Sequence, residues 1–128
     1  MDAKGFVLVN HRYKPYVLVI NMDGELAKSD TAFQPTVVGV YSTKPSYLGN
    51  SRNWGQDGYA PLALVGIVPV KVSTENGAIQ PGDLLVASNT PGHAMRAGDN
   101  SANGTVIGKA LMGFDGETGL IRMLVMLQ

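Results

Sequence analysis

The 128-residue sequence predicts an all-β domain, a small β-barrel or β-sandwich of two similar β units with little or no helix. Three observations carry that expectation. Gly (16 residues) and Pro (7 residues) punctuate the whole chain instead of clustering in a tail. Between them lie short runs rich in Val, Ile and Leu, the pattern of strands bounded by turns. No stretch sustains the 3.6-residue apolar spacing of an amphipathic helix. The length suits one domain with a core of its own, so 1–128 is read as a single domain.

Taken in order, residues 1–15 read as an N-terminal strand and linker, with Gly5–Asn10 as the strand. Tyr16–Ile20 is a second apolar strand, expected to be buried on both faces. Asn21–Gly24 is a turn, because Asp-Gly supports positive φ, and Glu25–Lys28 returns. Thr36–Tyr41 follows, with Gly39 marking a bulge or close backbone approach. Residues 42–61 form a long loop holding Tyr47, Leu48, Trp54 and Tyr59. Leu62–Val72 reads as one strand, with Leu62, Leu64, Val68, Val70 and Val72 on one face. Its Pro69 implies an edge or a bulge, since proline has no N–H to give a ladder. Asn76-Gly77 is a hairpin-type turn, and Pro81-Gly82-Asp83 turns into strand Leu84–Ala87. Asn89–Gly92 turns into His93–Ala97. Gly98–Gly104 is a loop of small residues, and Thr105–Leu111 is a strand. Asp115–Gly119 leads into Leu120–Leu127, which is apolar on both faces except at Arg122 and is expected to lie buried in the sheet.

The two halves echo each other. Leu18-Val19-Ile20, Gly24, Leu26-Ala27-Lys28 and Val37-Val38-Gly39 reappear in order as Leu85-Val86-Ala87, Gly92, Ala94-Met95-Arg96 and Val106-Ile107-Gly108. Each unit then leads into a longer apolar strand. The pattern predicts two similar β units packed together.

Composition narrows function. Ten Lys+Arg balance ten Asp+Glu, and charged residues are only 16% of the chain. That argues against nucleic-acid binding and against long-range steering of a charged substrate. With no cysteine there is no thiol chemistry, thiolate metal site or disulfide. No apolar run approaches the roughly 18 residues of a membrane span, so no membrane insertion is expected. The opening Met1–Gly5 lacks a basic n-region and an apolar h-region, so no signal peptide is expected. His11 and His93 have no accompanying ligand motif, and no metal or cofactor is expected. Nucleophile-elbow and phosphate-cradle motifs are missing. The carboxylates sit mostly beside glycine, at Asp23, Asp57 and Asp115, which is turn chemistry. No catalytic residue is therefore assigned.

Two places carry candidate roles. Tyr47, Trp54 and Tyr59 in the long loop either anchor it to its own domain or contact a second subunit or a surface glycan. The Ser29–Asp30 bond joins a hydroxyl and a carboxylate and is a candidate cleavage site. Only Lys28 among its sequence neighbours offers further help, and the bond is expected to stay intact.

The run Val65–Val72, followed by Gly77–Leu85 and Thr90-Pro91-Gly92-His93-Ala94-Met95, joins Gly104–Leu111, Leu124–Gln128 and Val37–Pro45 in a recognisable pattern. Over roughly residues 16–128 it resembles the C-terminal domain of phage and bacterial tail-fibre, spike and appendage proteins, a group that includes peptidase-G2-like intramolecular chaperones. The resemblance implies an extracellular or virion-associated, non-enzymatic structural module whose partner is itself, as a homotrimer, with the aromatic loop from Tyr47 to Tyr59 and the apolar C-terminal strand offering surface for self-association. In some similar proteins the module guides assembly and then cuts itself off, which Ser29–Asp30 would serve here, although no set of cleavage-assisting residues accompanies that bond. A looser likeness is to phage capsid decoration proteins. A glycan-binding fibre tip is the remaining alternative.

Overall fold

A computed structural model of the chain describes residues 15–41, 62–63, 66–99 and 103–127. The Gly5–Asn10 strand and the 42–61 loop with Tyr47, Trp54 and Tyr59 lie outside them. The described residues hold nine β-strands and no helix. Strands β1 (Val17–Ile20), β2 (Leu26–Lys28), β3 (Val37–Tyr41) and β4 (Leu62–Ala63) form a sheet in the order β2-β1-β3-β4. Strands β5 (Ile67–Ser73), β6 (Leu84–Ala87), β7 (Ala94–Arg96), β8 (Val106–Ala110) and β9 (Thr118–Val125) close into a barrel in the order β5-β7-β6-β8-β9. The molecule is all-β, as the turn-punctuated apolar runs predict.

The internal echo is real at the level of register. Leu18, Val19 and Ile20 oppose Lys28, Ala27 and Leu26, just as Leu85, Val86 and Ala87 oppose Arg96, Met95 and Ala94. Leu18 meets Gly39 and Leu85 meets Gly108, and a register shift follows each pair. The shift adds one residue to β3 and to β8, so residues three apart share a face. Val37 and Val40 accordingly turn toward one cluster, and Val38 and Tyr41 toward another. The bulge glycine of the second unit is also sterically required. A Cβ on Gly108 would run into the Leu124 carbonyl and the Met123 side chain.

Inside the barrel, Val68, Val70, Val72, Leu85, Ala94, Ile107, Ala110, Ile121, Met123 and Val125 form the main core, which Val17 and Val40 of the first sheet join. Phe114 packs at one end of this core, its ring lying against Gly116 and Gly119. Leu18, Leu26 and Tyr41 form a second cluster with the half-buried Tyr16, Ile20 and Val38. Val86, Met95, Ala97 and Val106 form a third, on the outside of the barrel, with Ala32, Phe33 and Leu84 packed against it.

Three expectations need correction. Leu62–Val72 is not one strand: β4 belongs to the first sheet and β5 to the barrel, and between them Gly66 adopts φ 97°. Asn76-Gly77 does turn, with Gly77 N–H donating to Thr74 O at 2.9 Å, but it joins no hairpin, because β5 pairs with β9 and β7 and not with β6. Finally, β9 is buried on one face only: Ile121, Met123 and Val125 point inward, while Leu120 and Arg122 are exposed. A strand in a barrel wall faces a core on one side, and its apolar residues on the other side are left outside.

Pro69 sits where its missing N–H costs nothing. Gly66 O accepts from Val125 N in the β5–β9 ladder, whereas Lys71 N–H points the other way, to Pro15 O at 3.2 Å. Odd-numbered residues of β5 therefore turn their nitrogens away from β9. On that side the ladder to β7 is confined to the Val72–Ala94 pair.

Candidate interaction surface

The β5–β9 ladder sets three outward pairs side by side: Ile67 with Leu124, Pro69 with Arg122, and Lys71 with Leu120. Lys109 of β8 lies beside Leu124, and Leu111 N–H donates to Arg122 O, so both extend the same wall. Ile67 is 62% exposed and Leu120 53% exposed, large apolar groups left in solvent where the opposite face of the same strands is sealed. The outside of β6, β7 and β8 differs, because Ala32 and Phe33 cover its apolar residues. The wall thus combines uncovered aliphatic surface with the cations Lys71, Lys109 and Arg122, and no carboxylate stands at its outward β5, β8 or β9 positions.

At the upper margin of this wall Lys71 meets Tyr16. The Lys28 ammonium lies 4.5 Å and the Lys71 ammonium 5.6 Å from the Tyr16 ring centroid, distances at which a ring face attracts a cation. His93 is tilted against the same ring, with centroids 6.4 Å apart. Its Nδ1 lies 2.9 Å from the Pro91 carbonyl oxygen, which only accepts, so Nδ1 carries a hydrogen.

The turn 88–93 joins the two sheets. Gly92 N–H donates to Ser29 O at 2.7 Å, and Val17 N–H donates to Gly92 O at 2.8 Å. Ala32 N–H donates to Asn89 Oδ1 at 2.9 Å. From the barrel side, Glu75 reaches the same turn. Its carboxylate accepts from Asn89 N–H at 3.1 Å, from Thr90 N–H at 3.1 Å and from the Thr90 hydroxyl at 2.9 Å. Partial burial by itself would raise the Glu75 carboxyl. The hydrogen bonds from Asn89 and Thr90 outweigh it and hold the group below its ordinary value of 4.5. No sequence motif announces Glu75. Its place two residues past the end of β5 brings it there.

The Ser29–Asp30 bond lies in this joint. Ser29 is fully buried, and its hydroxyl has no hydrogen-bond partner among the described residues. Its backbone is held on both sides, N–H to Val17 O at 3.0 Å and carbonyl to Gly92 N–H. Asp30 is exposed, its N–H donating to Gln34 Oε1 at 2.9 Å and its Oδ1 accepting from the Thr31 hydroxyl at 3.0 Å. Gly92 N–H is one donor on the carbonyl that cleavage would attack. The Ser29 hydroxyl shares its residue with that carbonyl and reaches it only through a strained lactone. Of the candidate positions, Ser29 and Asp30 belong to the docking joint, and Tyr47, Trp54 and Tyr59 lie outside the described residues. The apolar C-terminal strand, a self-association surface by sequence, supplies β9 of this wall, but neither the contribution of β5 nor the face of each strand that turns outward is legible in the sequence, because both follow from the β5–β9 register. No protein-family model matches the chain, and no curated protein shows significant similarity to it.

Proposed function

We propose that the chain is a non-enzymatic assembly module of an extracellular or virion-associated fibre or appendage, which joins copies of itself into a homotrimer. The observation that carries this reading is the outward wall of β5 and β9, where Ile67 and Leu120 stand uncovered on a rigid ladder. Exposed apolar surface rimmed by polar groups marks an interaction site, and here Ile67 with Leu124 and Leu120 share one face of the ladder, on either side of Arg122. The low charge content and zero net charge keep repulsion between identical copies small. The backbone around Ser29–Asp30 is pinned within a joint between sheets, an arrangement suited to holding the chain together. Light scattering on the purified chain tests the reading. We expect the mass of three chains at micromolar concentration, and the mass of one for Ile67→Lys with Leu120→Lys, with the melting temperature little changed. A wild-type chain that stays monomeric at high micromolar concentration overturns it.

A further inference from the structure

We infer that the outward wall of one copy docks on the loop end of the barrel of the next copy, so that the contact is head-to-tail between two different surfaces. This rests on the assembly reading above and names what covers the wall. The barrel directions define that loop end. Strand β5 is antiparallel to β9, β9 to β8 and β8 to β6, so connections 74–83 and 111–117 emerge together. They are fastened to each other: the Thr74 hydroxyl donates to Gly116 O at 2.6 Å, and Ile79 and Phe114 exchange backbone bonds at 2.8 and 2.9 Å. The result is a built platform that presents Met112, Asp115 and Glu117 to solvent.

Charge decides which surfaces meet. The only ion pair among the described residues is Arg96 with Asp83, at 3.8 Å. Arg122 and Lys109 on the wall and Asp115 and Glu117 on the platform are therefore without ionic partners among those residues. Two walls facing each other across a twofold axis would set Arg122 and Lys109 against their own copies, with no outward carboxylate of these strands between them. Wall against platform brings two cations to two carboxylates and Leu120 to Met112. Contacts between unlike surfaces close into rings, as a trimer requires, whereas a self-complementary patch gives dimers.

Charge reversal on each surface, followed by reversal on both, tests this by light scattering and sedimentation. Lys109→Glu with Arg122→Glu should raise the dissociation constant by ~10-fold or more, as should Asp115→Lys with Glu117→Lys. The fourfold variant carries opposite charges on wall and platform again and should reassemble. Thermal melts report folding of each variant; where reversal unfolds the chain, Lys109→Gln with Arg122→Gln removes the charges more gently and should still weaken assembly. If the wild type oligomerises but neither pair weakens it, or if the fourfold variant stays apart, the head-to-tail contact is wrong while the assembly reading stands. If the wild type is a monomer, the assembly reading itself has failed.

Discussion

The two β units share strand order, register and a bulge opposite a leucine, yet the first turn of each is held in a different way. In the first unit, Asn21 closes the turn from within, its Oδ1 accepting from Asp23 N–H at 3.0 Å and Glu25 N–H at 2.9 Å. The turn stands in solvent, with Met22 fully exposed and nothing within 4 Å of where a Gly24 Cβ would lie. In the second unit, Ser88 closes the equivalent turn from within, its hydroxyl lying 3.1 Å from Thr90 O and 2.8 Å from His93 O, but the turn is also gripped from outside, by Glu75 of the barrel and by Tyr16 and Ser29, which flank β1 and β2. The same local pattern makes a free turn in one place and a joint in the other. The difference arises from the neighbours, chiefly β5, which closes the second unit into a barrel and carries Glu75 beyond its end.

The sharpest way to break this comparison is to give both turns a Cβ. Gly24 and Gly92 have nearly the same φ, 77° and 75°. An alanine at either pays for a left-handed backbone, about 1 kcal/mol. At Gly92 the new atom would also run into the Tyr16 ring and crowd Lys28. Gly92→Ala should therefore cost roughly 3 kcal/mol or more, and Gly24→Ala about 1 kcal/mol, by urea denaturation. Equal losses would mean that the second turn is no more a joint than the first.

A smaller effect, but one with a pH signature, belongs to Glu75. Glu75→Gln should cost on the order of 1 kcal/mol near neutral pH, as a partly exposed charge-assisted hydrogen-bond cluster is weakened. The Glu75 carboxyl is held below 4.5 in the folded chain, so its contribution is complete above the unfolded value and vanishes as pH falls through the folded one. Wild type and variant should accordingly converge in acid. Asn21→Ala, which opens the other turn, should lose stability by about the same amount at every pH. Melting curves from neutral pH to below 4 check both, and a Glu75→Gln deficit that persists undiminished in acid would remove the charge from the explanation.

The smallest change is expected at Ser29. By register it corresponds to Ala97, since Lys28 opposes Leu18 as Arg96 opposes Leu85. Both positions are buried, at 0% and 1% exposure, but only Ser29 carries a hydroxyl, and that hydroxyl has no partner among the described residues. Ser29→Ala should leave stability unchanged or raise it by up to about 1 kcal/mol, because a stranded buried hydroxyl is removed. Intact-mass spectrometry on the wild type reads the same residue chemically, and the expected result is one full-length species. A fragment beginning at Asp30, lost in Ser29→Ala, would turn the joint into a cleavage site.

What the sequence determined by itself was local: which segments extend, where they turn, and that two sets of segments follow one plan. Alternating Val, Leu and Ile between Gly-containing turns carries that information within a few residues, and Gly39 and Gly108 advertise their bulges. Tertiary structure decided which strands pair. Nothing within Leu62–Val72 states that Leu62 joins one sheet and Val70 another, because hydrogen-bonding partners tens of residues away leave no periodicity in the strand itself. For the same reason Leu120 and Ile67 look like core residues until the β5–β9 register sets them on the outer face. Glu75 looks like an ordinary turn carboxylate until its strand ends beside the turn 88–93. Hydrophobic pattern tells a strand to find cover, and only the folded arrangement determines which of its two faces receives it.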